Sequence, residues 1–273
     1  MAMHERWRRI AAIVTKDADE IGRQPGLILP ALAMVVGLSL PAFLLLVITP
    51  ALTGESLADS DFAEAAGAAA VFVPELRALD LAAQAQAFML QQFLMFSLIV
   101  PIVGSLSLAA QGVIGEKQSR ALEPLLATPL ETAELLVAKV ATPFALSMLL
   151  VVVTFALYLA GIAAWGERGV WRTMFWPRTM VLYVVLAPLV SWTALMLAAI
   201  LSSRVNDART AQQLGGFVVL PITALFVAQL AGQFLLGVPA LLLMAGGLVL
   251  VNVLLTWLGV RVFQRETILM RWK

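Results

Sequence analysis

The chain has 273 residues, of which 61% are apolar and only 13% charged, with a mean hydropathy of +0.93. Soluble domains lie nearer about 45–50% apolar and about 25% charged, so the composition points to an integral membrane protein. The absence of cysteine and the single histidine, His4, exclude disulfides, thiolate chemistry and histidine-rich metal centres, and the net charge of +1 gives no sign of a nucleic-acid partner.

Lys, Arg, Asp and Glu are absent from 24–54, 81–115, 140–166, 179–203 and 210–260. A helix rising about 1.5 Å per residue needs roughly 20 residues to cross about 30 Å of hydrocarbon. Four runs suit one crossing each, and the last is long enough for two, with a turn at Gly237-Val238-Pro239. The expected fold is therefore an all-α membrane domain, 1–273, with six transmembrane helices. With the N-terminus inside, fourteen Lys and Arg fall on inner segments and four on outer ones, so the positive-inside rule places both termini in the cytoplasm.

Residues 4–23 read as an amphipathic helix, with Trp7, Ile10, Val14, Ala18 and Ile21 at helical spacing and Arg6, Arg9, Lys16 and Glu20 elsewhere. Such a helix suits the inner membrane interface. The apolar run that follows is too long for the h-region of a cleaved signal, which spans about 7–15 residues. Span one is about 27–49. The outer loop 51–80 carries six acidic residues against Arg77, with helical character at Ala63–Ala70 and a helix start at Pro74.

Span two, about 87–113, has amides at its outer end: Gln84, Gln86, Gln91 and Gln92. Span three is about 135–162. The outer loop after it sets Trp165, Trp171, Phe175 and Trp176 among Arg168, Arg172 and Arg178, which reads as an interface belt rather than a ligand cage. Spans four, five and six are about 180–201, 211–235 and 239–260. The pairs Ala33/Gly37, Ala194/Ala198 and Ala228/Gly232 allow close helix contact but, in so Ala-rich a chain, assign no interface.

No ionisable residue lies in any proposed span, and no GxxxxGK[ST] phosphate loop is present. Ion-coupled carriers generally use intramembrane acids or histidines. Work on a solute would therefore draw its energy from another chain. The segment 116–134 offers a place for that chain to act. Thr128-Pro129-Leu130-Glu131 fits a capping box with Pro at N1, starting a helix that runs into span three. Just before it, Leu122, Leu125 and Leu126 make a short apolar face flanked by Glu116, Lys117, Arg120 and Glu123. That face can lie on the membrane, pack on a neighbouring loop, or enter a groove on a soluble partner.

Glu116 and the run Ala121-Leu-Glu-Pro-Leu-Leu-Ala-Thr-Pro-Leu130 resemble the cytoplasmic signature of ABC-2 type transporter permeases, roughly E-x-x-x-G-T/S-L-E-x-L-L-A-T-P. Ser119-Arg120-Ala121 departs from the Gly and Thr or Ser of many members. The resemblance extends to the amphipathic start, the six spans, the Asn206-Asp207 link and the Phe263-Gln264-Arg265 tail. It implies an export permease in a bacterial plasma membrane, paired with a second permease as a homo- or heterodimer, and in contact with lipid and possible accessory subunits. It also implies two copies of a separate ABC ATPase that binds the ATP and Mg; this chain would carry no cofactor and no catalytic residue. Residues 4–23 would be the elbow helix. Glu116, Leu122, Glu123, Leu125, Leu126, Thr128 and Pro129 would form the coupling helix, with Arg204, Asn206, Asp207 and Arg209 as a second contact. The alternatives are a mechanical or signalling complex driven by the same kind of ATPase, and a stand-alone carrier or channel. Nothing in the sequence marks the cargo.

Overall fold

The computed structural model describes residues 25–54, 61–106, 132–204, 216–232 and 234–262, together with the isolated positions 15, 19, 58, 210 and 213. Helix α1 is Pro25–Thr53; its three internal prolines, Pro30, Pro41 and Pro50, do not end it. The short helix α2, Asp61–Ala69, and a 3₁₀ turn at Pro74–Ala78 follow, the latter with Pro at its start. Helix α3 is Leu81–Phe96 and, after a break at Ser97-Leu98, α4 covers 99–106. Helix α5 runs unbroken over Thr132–Trp165. A 3₁₀ turn at Val170–Phe175 leads to α6, which comprises Pro177–Met180, a π turn at Val181–Leu186 and Ala187–Arg204. A 3₁₀ turn at Gly216–Val218 opens α7, Val219–Gly232, and α8 is Val238–Val262.

Among the described residues, five stretches are long and apolar enough to cross a membrane: Leu29–Leu46, Leu81–Leu106, Val140–Trp165, Pro177–Leu201 and Val238–Arg261. The sixth apolar helix, Gly216–Ala231, is shorter. The spans alternate in direction, so α3, α6 and α8 all leave the end of the bundle that α2 covers. Most of the Leu81–Leu106 span is buried by the rest of the chain, whereas most of Val238–Arg261 is not. The α3–α4 rod is thus the axis around which the others pack, which explains why its amides are tolerated. They face protein rather than hydrocarbon.

Pro101 explains the break in that axis. It has no N–H to give the Ser97 carbonyl, and Val100 N–H takes that carbonyl instead at 3.0 Å, one residue early. The helix of span two starts at Leu81, ahead of the expected position 87, and the proline makes it two helices in place of one. Of the three small-residue pairs, Ala194 and Ala198 are fully buried on α6, which packs along α8, whereas Ala33 and Ala228 are exposed.

The segment 61–80 closes one end of the bundle. Ala65, Ala66, Ala69, Ala70, Val73 and Leu76 pack on Ala87 and Phe88 of α3 and on Leu235 ahead of α8. Gly169 sits at φ +90° in the turn after α5, a conformation that favours glycine. At Gly161 a β-carbon would lie 2.3 Å from the Phe43 ring, so any larger residue there forces that ring to shift.

Candidate functional site

Because α3 and α6 run side by side in the same direction, polar residues spaced along each meet as rungs. Gln91 Nε2 donates to Thr179 Oγ1 at 2.9 Å, Ser97 and Tyr183 hydroxyls lie 3.0 Å apart, and Ser105 on α4 lies 2.6 Å from Ser191. The middle rung falls where the axis breaks and where α6 adopts its π turn, so both helices are irregular at one level. Single π turns inside α-helices are frequent at functional sites.

At the lowest rung three helices converge, since Ser147 of α5 also lies 2.6 Å from Ser191. Ser105 donates to the Pro101 carbonyl at 2.5 Å and Ser147 to the Phe144 carbonyl at 2.8 Å. Four contacts are thus served by three hydroxyl protons, because each serine has one to donate. With the Ser105 and Ser147 protons on their carbonyls, Ser191 donates to only one of the two at a time. On the other face of α6, Thr193 donates to Asn252 Oδ1 at 2.7 Å, Asn252 Nδ2 to the Leu189 carbonyl at 2.9 Å, and Trp192 Nε1 to Thr256 at 3.0 Å. These bonds tie α6 to α8.

The upper rung surrounds a buried cation. Arg178, which the sequence places in the aromatic outer loop, is instead 1% exposed in the first turn of α6. This corrects the expectation that the spans hold no ionisable residue. Pro177 at the start of that helix is the cause: it begins the helix before Arg178 and so carries the guanidinium into the bundle. Arg178 Nε donates to the Leu236 carbonyl at 3.0 Å, Nη1 to the Gln91 carbonyl at 3.0 Å and to Gln91 Oε1, and Nη2 to Gln229 Oε1 at 3.4 Å. Gln229 Oε1 also accepts from Leu236 N–H at 3.2 Å, and Gln92 Nε2 donates to the Phe234 and Gln229 carbonyls at 3.0 and 3.4 Å. Gln91 Nε2 and the Thr179 hydroxyl both donate to the Thr173 carbonyl, at 3.1 and 2.7 Å.

One cluster therefore fastens α3, α6, α7 and the links on either side. The sequence signal was divided between two places, a Trp-Pro helix start and a set of amides on span two, and nothing in the spacing joins them. Of the aromatic side chains of the same loop, Trp165, Trp171 and Phe175 are exposed.

The expected coupling residues Glu116, Leu122, Glu123, Leu125, Leu126, Thr128 and Pro129 lie outside the described residues, as do Asn206, Asp207, Arg209 and all but 15 and 19 of the helix expected at 4–23. Arg204 is the last residue of α6. The described part of α5 begins at Thr132, one residue past Glu131. Its 34 residues span about 51 Å, well beyond the roughly 30 Å of a hydrocarbon core. The excess lies at the Thr132 end, since the apolar window is Val140–Trp165.

Among the described residues no group of His, Cys, Asp and Glu is placed to hold a metal. The interior offers hydrogen bonds and one positive charge. In comparisons with known proteins, residues 65–254 match the family model described as ABC-2 family transporter protein. No curated protein matches the chain. The match and the five helices of spanning length make the chain a multi-pass integral membrane protein.

Proposed function

The chain belongs to the ABC-2 transporter family, and from that premise we propose that it is the permease subunit of an ATP-driven exporter. Hydrolysis would occur on two copies of a separate ABC ATPase that holds ATP and Mg, with a second permease completing the complex. In this reading Gly216–Ala231, extended by the residues before it, is the fifth of six crossings. Both termini, the elbow helix 4–23 and the coupling segment 116–134 lie on the cytoplasmic side of a bacterial plasma membrane, and the α2 cap faces outward.

The family match over 65–254 carries this reading. The buried Arg178 does not favour a stand-alone carrier. Proton coupling needs a group that gains and loses charge, and an arginine guanidinium stays protonated. The length of α5 supports the coupling assignment, because its 34 residues exceed what a hydrocarbon core needs and its described part begins one residue after the Thr128–Glu131 sequence expected to cap it.

Purification of the tagged chain from native membranes tests the proposal. The expected result is co-purification of an ABC ATPase whose hydrolysis depends on the permease, and ATP-dependent movement of a solute in proteoliposomes. A purified chain that carries solute without any ATPase would sink it.

A further inference from the structure

The charge on Arg178 is solvated by the cluster but not cancelled. Its partners are backbone carbonyls and amide oxygens, and among the described residues no carboxylate pairs with it. Withdrawing a charge from water costs several kcal/mol even after relaxation, and a neutral amide could make interhelical hydrogen bonds without that cost. Three buried polar atoms of the same cluster also have no partner: Gln229 Nε2, Thr173 Oγ1 and Gln92 Oε1. Buried networks that serve only to hold helices are normally satisfied. Here a cation, two spare donors and one spare acceptor remain, contributed by α3, α6, α7 and the turn before α6.

We infer that this cluster is an anion subsite on the permease's path, an inference that rests on the transporter reading above. When α7 parts from α3, the Arg178 guanidinium, Gln229 Nε2 and the Thr173 hydroxyl hold a carboxylate or phosphate group. Gln92 Oε1 accepts from a hydroxyl or amine of the same molecule. In the closed bundle, Gln91 Oε1 and Gln229 Oε1 occupy the fork that the anion would take, so opening exchanges amide oxygens for a charged ligand. A planar guanidinium suits such an exchange because its paired N–H groups match two oxygens at once.

The test uses the full-length chain in phosphatidylcholine nanodiscs, alone and with its co-purified ATPase, both nucleotide-free and with a non-hydrolysable ATP analogue. Sulfate and acetate are titrated against chloride at constant ionic strength. The readouts are the unfolding midpoint and the tryptophan fluorescence, Trp176 lying two residues from Arg178. A saturable response is expected in at least one state. Arg178→Gln should weaken it at least about tenfold, the loss of a charge-assisted hydrogen-bonded pair. Arg178→Lys and Thr173→Val should keep a response weakened several-fold, and they decide the matter if Arg178→Gln fails to insert.

Repeating the titration in phosphatidylglycerol nanodiscs identifies the source of the anion. A midpoint already raised over that of Arg178→Gln, with no further response, assigns a lipid headgroup; a persisting response assigns a soluble anion. No response in any state, an equal response in Arg178→Gln, or a loss in Arg178→Lys as complete as in Arg178→Gln overturns the inference. A single bridging water in the cluster would give the first of these. Failure of the transporter reading would show separately, as the absence of a co-purifying ATPase, and leaves the titration of the chain alone intact.

Discussion

The Ser97 hydroxyl donates to the Leu94 carbonyl at 2.7 Å and lies 3.0 Å from the Tyr183 hydroxyl. With the Ser97 proton already placed, the phenol is the donor between them. Tyr183→Phe therefore leaves Ser97 satisfied and should cost less than about 1 kcal/mol. Ser97→Ala leaves a buried phenol without a partner and should cost about 1–3 kcal/mol. Unfolding of both variants and the double variant in detergent measures this asymmetry. Equal losses would mean that the hydrogen bond runs the other way.

Ser191 is the shared member of a cluster with more contacts than protons, and Ser105 and Ser147 keep their own carbonyl partners without it. Ser191→Ala should accordingly change stability by less than about 1 kcal/mol, in line with interhelical hydrogen bonds in membrane proteins. A loss several times larger would show that the three hydroxyls act as one unit.

Gly161 faces the Phe43 ring, which is itself packed against Tyr158 and Trp165 at centroid distances of 5.3 and 6.0 Å. Gly161→Leu must displace the ring and should cost about 1–3 kcal/mol by overpacking. Adding Phe43→Ala should recover part of the loss. If it recovers none, the clash does not involve that ring.

The coupling segment yields the functional prediction. Glu123→Lys, or Leu125→Ser with Leu126→Ser, should abolish ATPase co-purification or ATP-driven activity while insertion and the folded bundle remain. Thr128→Ala should weaken the helix start by about 0.5–2 kcal/mol and give a milder defect. Normal co-purification and activity in the Glu123 and leucine variants would place the ATPase contact elsewhere.

These predictions separate what the sequence makes legible from what it hides. Charge-free runs locate the apolar helices because desolvating a charge in hydrocarbon is costly wherever it occurs along the chain. The Pro74 start is legible because its cause is local. The amides at the outer end of span two carry no mark of burial in the sequence, and only the surrounding helices reveal that Gln86, Gln91 and Gln92 are buried. Arg178 was misplaced for the same reason: its oxygens come from residues 51 to 87 positions away. Pairings at that separation leave no periodic trace in one sequence. Nor do the serine rungs, whose residues look like ordinary small side chains of apolar helices.

Helix α5 joins the Thr132 end to the aromatic end in one rod. Ser147, held at the serine cluster, divides it into arms of about 22 and 27 Å. Tilting the rod about that fulcrum moves its two ends in opposite directions by similar amounts. Displacement grows with distance from the fulcrum, so a small push on the Thr132 arm reaches Trp165 nearly undiminished, as on a seesaw, and Phe155, about 12 Å out, by about half. The one weak joint is Pro143, a single turn from the fulcrum, where bending takes least travel from the far arm.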